Sequence, residues 1–139
     1  MQEASFVLED YMFDYLSLEV SKMVGDTINL DFNVSGEFKQ DESKYNLVFV
    51  LQAASKTSEE LDVFLKLKCN ALFAFKDVDG IDSIPDYFYR NSIAIVFPYV
   101  RAYVSMITQQ TNSNKRVILP TMNLSSLGNV LKDETTVVK

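Results

Sequence analysis

The chain of 139 residues has no histidine and a single cysteine. Without histidine, the commonest general base and the commonest transition-metal ligand are both missing. Cys69 alone excludes an intrachain disulfide and a multi-thiolate zinc site. No block of lysines or arginines stands out, and 19 acidic against 13 basic residues leave a formal charge of −6, which argues against nucleic acid as a partner. The N-terminal residues Met1 to Ser5 lack a basic region followed by an apolar run, and the longest apolar stretch, Ile93 to Val100, falls far short of the ~20 residues of a membrane span. A cytoplasmic protein without stable membrane insertion is expected. No internal repeat is evident.

What is present is apolar surface in regular patterns. A hydrophobic content of 47% suffices for one core, and the expected organisation is a single domain over 1–131 with a flexible tail over 132–139. From Asp26 to Phe38 the residues Ile28, Leu30, Phe32 and Val34 alternate with Asn29, Asp31, Asn33 and Ser35, the period of a half-buried strand. The run Tyr45 to Ala54 alternates too but is apolar on both sides, as a central strand would be. Leu61 to Phe75 keeps period two throughout, with Cys69 on its apolar side, where a buried inert thiol is expected. At ~3.3 Å per residue so long a strand must twist or bend. In Phe6 to Val20 the apolar phase slips twice, from Phe6 and Leu8 to Tyr11, Phe13 and Tyr15, then to Leu16, Leu18 and Val20, and bulges account for the slips.

After Gly80 the period changes. Ser83-Ile84-Pro85-Asp86 reads as a helix start, and helical character runs to about Gln110. Pro98 lies inside this stretch and predicts two helical pieces. Beyond it, Arg101, Ser105, Thr108 and Asn112 form one narrow polar stripe. The remaining circumference is apolar, roughly twice the ~100° that a helix needs to cover its own sheet. Tyr99, Val100, Tyr103, Val104 and Ile107 are therefore expected at an interface with a second subunit, while Met106 reads as core filler. The fold class is α+β, a four-stranded antiparallel sheet followed by C-terminal helices packed on one face. Asp77, Asp79 and Asp82 around Gly80 lack the spacing of a calcium loop and read as a turn.

At Ile95-Val96-Phe97-Pro98-Tyr99-Val100-Arg101 the chain resembles the SecB-like chaperone family, whose helix opens with a Leu-Phe-Pro-Tyr-Ala-Arg type motif. Leu119-Pro120-Thr121-Met122-Asn123-Leu124-Ser125-Ser126-Leu127 is similar to the family's segment of Pro, Asn, aromatic and Leu, with one extra residue between proline and asparagine. Leu16-Ser17-Leu18-Glu19 and Ala71-Leu72-Phe73-Ala74-Phe75 are similar to two of its strands. The motifs are individually of moderate specificity; their order carries the likeness across nearly the whole domain. The resemblance implies a homotetramer built as a dimer of dimers, with hydrophobic grooves that hold unfolded polypeptide clients; from the residues themselves no cofactor or metal is expected. In the export chaperones of the family, acidic side chains on the sheet dock the export motor SecA. Their positions fall on Tyr15, Glu19 and Lys66, where only Glu19 keeps its acid.

Client contact is expected at Leu119, Met122, Leu124 and Leu127, apolar residues in a proline-containing segment, although the same residues would serve equally to cap the core. Tyr11, Phe13 and Tyr15 form an aromatic row that either packs on a neighbour or receives extended peptide. Phe97, Tyr99 and Arg101 are family markers for which core packing and client contact stay open. The leading reading is a non-enzymatic holdase acting in protein export. The alternatives are a SecB-like chaperone of a toxin-antitoxin system, with an antitoxin as client, and an α+β module for a small apolar ligand.

Overall fold

The computed structural model describes residues 5–23, 27–56, 60–111, 119 and 124–139. Four long strands come first: β1 (Ser5–Leu18), β2 (Thr27–Lys39), β3 (Lys44–Lys56) and β4 (Leu61–Lys76). They are followed by helix α1 (Asp86–Gln110), the short helix α2 (Leu127–Asp133) and a last strand, β5 (Thr135–Val138). The sheet order is β1-β4-β3-β2-β5, antiparallel except where β5 runs parallel to β2. A sheet of five strands thus replaces the expected four. The fifth comes from the segment set aside as a tail, whose Val137 and Val138 lie in the ladder beside Phe38 and Lys39.

The alternation read from the sequence sets one face against α1. Tyr45, Leu47, Phe49 and Leu51 of β3 and Leu65, Leu67, Cys69, Ala71 and Phe73 of β4 are fully buried there, together with Phe88, Ile93, Val100 and Val104 of α1. Fully burying an aliphatic or aromatic side chain of this kind contributes on the order of 1.5–3 kcal/mol. Phe88 is the centre of a ring cluster, with Phe75 at 4.7 Å, Phe6 and Tyr45 at 4.8 Å and Phe73 at 5.5 Å between centroids, mostly edge to face as the ring quadrupoles prefer.

The two phase slips of β1 are bulges, at Glu9 and at Asp14. Their effect is visible in the register. Phe6, Leu8, Tyr11, Phe13, Leu16 and Leu18 pair with Phe75, Phe73, Ala71, Cys69, Leu67 and Leu65, all on the face that carries α1. Tyr15 pairs with Lys68 on the other face, so the expected row of three aromatics contains only Tyr11 and Phe13.

Three further expectations change. Period two does not hold throughout β4: the register shifts between Ala53 and Ala54 of β3, where Leu65 and then Val63 are their partners, leaving Phe64 as the extra residue. Phe64 is buried, its carbonyl accepts the Glu19 N–H at 2.8 Å, and Leu61 and Val63 turn to solvent. The helix is one piece, with Pro98 inside it. Proline leaves the Ala94 carbonyl without its helical donor, but Ala94 and Pro98 are both exposed, which sets the break on the solvent side of the helix. Thr108 leaves the polar stripe for the core, where its hydroxyl donates to the Val104 carbonyl at 2.8 Å.

Candidate functional site

Among the described residues, the free sides of this fold include the two flanks of the sheet, its face away from α1 and the outward side of α1. On β2, the Gly36 N–H donates to the Glu134 carbonyl at 3.1 Å and therefore points away from β3. The register of β2 on β3 has no irregularity, so residues of the same parity, Ile28, Leu30, Phe32 and Val34, also turn their N–H and C=O groups away from β3. β5 covers β2 only from Gly36 to Lys39. From Thr27 to Ser35 no described residue continues the ladder. The side chains of the same even-numbered residues lie on the α1 face: Ile28 is 42% exposed, Leu30 and Phe32 are partly buried, and Val34 is core. α2 packs against β2, with Leu131 fully buried and Leu124 and Leu127 half-buried nearby against the same core. A backbone that no described residue pairs, beside apolar side chains, is suited to an added strand.

The opposite flank is β1. Val7 is 60% and Met12 59% exposed on the face away from α1, where Tyr15 also opens to solvent. On the α1 side, Phe13 stacks on Tyr103 at 4.0 Å and 11°, and Tyr11 meets Tyr99 at 4.5 Å. These ring pairs clasp α1 to the sheet margin, so Tyr11 and Phe13 face the helix and leave Tyr11 only partly open.

The expected site residues separate accordingly. Leu119 is buried in the core; Leu124 and Leu127 are half-buried against the same core; Met122 lies outside the described residues. Val100 and Val104 are 0% exposed, because α1 turns them onto the sheet, and neither offers surface to a second subunit. Tyr103 and Ile107 are half-buried, and Tyr99 is 42% exposed. Met106, read as core, is 48% exposed and with Ile95 and Tyr99 makes up the outward apolar side of α1. Phe97 is core, with the Arg101 guanidinium 5.9 Å from its ring centroid. Glu19 pairs with Lys22 at 3.3 Å on the surface, and Lys68 stands 3.9 Å from Asp14. Such exposed pairs contribute little.

The open margin of β2 was missed, because edge position depends on strand order, which no local pattern carries. Val7 and Met12 did carry a signal, being apolar but out of phase with their strand.

Two buried groups have shifted ionisation. Burial pushes the Cys69 thiol up to about 11, and the negative Asp14 adds to the shift. Burial also raises the Tyr45 phenol, against the opposing effect of its hydrogen bond with Thr135. Both stay protonated at neutral pH. Among the described residues no group of three or more histidine, cysteine or acidic side chains is placed to hold a metal ion, and no helix is long and apolar enough to cross a membrane.

A largely antiparallel sheet with a long helix across one face and a short helix packed against both defines an α+β fold of SecB-like type. The Mycobacterium tuberculosis Rv1957 SecB-like chaperone, solved in complex with a ChAD peptide from the Rv1956 HigA1 antitoxin, shares it at a TM-score of 0.62 and 14% identity over 84% of this chain and 90% of that one. The likeness read from the sequence thus holds at the level of the fold. A protein of unknown function from Streptococcus agalactiae matches at a TM-score of 0.51 and 13% identity, covering 86% of this chain and all of the other. In sequence, the chain is 29% identical over 116 residues to the uncharacterized protein MJ0357 of Methanocaldococcus jannaschii, spanning 78% of this chain and 74% of that protein. No family model matches.

Proposed function

We propose that this protein is a SecB-like chaperone that holds extended, non-native segments of polypeptide clients. The observation that carries the reading is the margin of β2 from Thr27 to Ser35, whose outward backbone groups no described residue pairs and whose side chains Ile28 and Leu30 lie on the apolar face. A client segment would add as a strand: main-chain hydrogen bonds give sequence-tolerant affinity, and the flanking apolar residues favour hydrophobic side chains. Holding clients this way needs no cofactor and lowers the free concentration of the non-native chain.

Among possible clients, an antitoxin is favoured over general export. The neighbour of known chaperone type carries an antitoxin peptide. The sheet positions that dock SecA in export chaperones are here Tyr15, Glu19 and Lys66, and Glu19 already pairs with Lys22. Two separate surfaces support assembly into a homotetramer: the open flank of β1 with Val7, Met12 and Tyr15, and the outward side of α1 with Ile95, Tyr99 and Met106.

The test is suppression of aggregation of a reduced, unfolded model client, together with titration of labelled apolar peptides and native mass. Slowed aggregation, peptide binding and an oligomeric mass are expected. A monomer that neither slows aggregation nor binds such peptides overturns the reading.

A further inference from the structure

We propose that β5, anchored through Thr135, sets the length of extended segment that β2 accepts; this rests on the reading of β2 as the client margin. β5 pairs with Gly36 to Lys39 and so takes the outward backbone groups of Gly36 and Phe38, which a longer incoming strand would need. Beyond its first residue the strand is superficial, with Thr136, Val137 and Val138 exposed. Its hold is concentrated at Thr135. The Thr135 hydroxyl donates to the Leu131 carbonyl at 2.6 Å and therefore accepts from the Tyr45 phenol, also at 2.6 Å. The phenol reaches it across Gly36, where the absence of a side chain leaves the passage open.

Helix α2 and the fully buried Tyr45 of β3 thus converge on one hydroxyl at the start of β5, where that strand lies beside Gly36 of β2. Fixed to the core in this way, the strand is a stop at Gly36. A client segment pairs with Thr27 to Ser35, using the four outward residues Ile28, Leu30, Phe32 and Val34. Any longer segment has to unpair β5 or leave its excess without a ladder. That the chain seats its own tail on this margin demonstrates that β2 accepts an additional strand.

The experiment uses two labelled peptides of alternating apolar and polar residues, one of about nine residues matched to Thr27–Ser35 and one of about thirteen matched to all of β2. Each is titrated against the full chain, a chain ending at Glu134, and Thr135→Val. The full chain is expected to bind both peptides within about twofold, and the shortened chain to bind the longer peptide about tenfold more tightly with the shorter one unchanged. Thr135→Val should fall between and carries the comparison if the shortened chain does not fold. Amide exchange at Gly36 and Phe38 should quicken in both variants and slow again with the longer peptide. Equal preference of the full chain and the variants for the longer peptide, with exchange showing the margin opened, overturns the stop and leaves the client reading intact. Folded proteins that all ignore both peptides overturn the client reading and this inference with it.

Discussion

Tyr45 lies across Gly36: a methyl group at position 36 would run into the phenol oxygen and the ring edge of the buried tyrosine. Gly36→Ala should therefore cost about 1–3 kcal/mol, the usual range for overpacking a core. Tyr45→Leu in the same chain should recover part of that loss, because it removes the obstructed ring. Urea unfolding of the two single variants and the double variant checks the coupling, and simple additivity would refute the contact as the cause.

Alkaline conditions should destabilise the protein through Cys69. Its native thiol titrates at about 11 against 9.0 for a free one, so the folded state keeps a proton that the unfolded state gives up. The corresponding stability is complete below pH 9 and is lost as the pH climbs toward 11, by about 2–3 kcal/mol. Unfolding free energies measured from pH 8 upward should fall more steeply for the native chain than for Cys69→Ala. The same burial predicts that a thiol reagent labels Cys69 only at the rate of unfolding. Rapid labelling of the folded chain would contradict this.

Pro98→Ala is expected to stabilise α1 by about 1–3 kcal/mol, since the new N–H restores the bond to the exposed Ala94 carbonyl. A higher thermal midpoint at unchanged helix content is the supporting result. A lower midpoint would mean that the proline is needed by contacts outside the single chain.

The outward side of α1 and its buried side should respond oppositely to charge. On the proposed assembly, Tyr99→Asp with Met106→Asp should leave the chain folded and reduce its native mass, whereas Val100→Asp should bury an unpaired carboxylate and unfold it. Circular dichroism and native mass spectrometry separate the two outcomes. An unchanged mass in the folded double variant would remove α1 from the assembly surface.

The four long strands, the kind of fold and even the two bulges of β1 could be read from the sequence, because alternation records which face of a strand is buried and a slipped phase records an extra residue. The bulge at Phe64 could not, since Leu61, Val63, Phe64 and Leu65 are all apolar and either phase satisfies the pattern. Pro98 predicted a broken helix because local backbone chemistry disfavours proline there; exposure of the orphaned carbonyl makes a continuous helix tolerable. β5 escaped notice because Thr135 to Val138 is short and gains its place from partners far along the chain, Gly36 and Tyr45. Of the apolar residues expected at the site, Leu124 and Leu127 are half-buried, and Leu127 opens α2. Leu119 looked the same in sequence and turned out to be core, because packing depth is a property of the assembled sheet and helices.

The irregular spacing of β1 also bears on what this protein avoids becoming. A fourteen-residue strand at a sheet margin with exposed Val7, Met12 and Leu16 is the kind of surface that seeds indiscriminate fibres. With an extra residue at Glu9 and another at Asp14, its backbone groups are unevenly spaced and the strand is locally bent, so an ordinary regular strand cannot match its whole length. The two acidic bulges thus interrupt the ladder that a regular added strand would need along this margin.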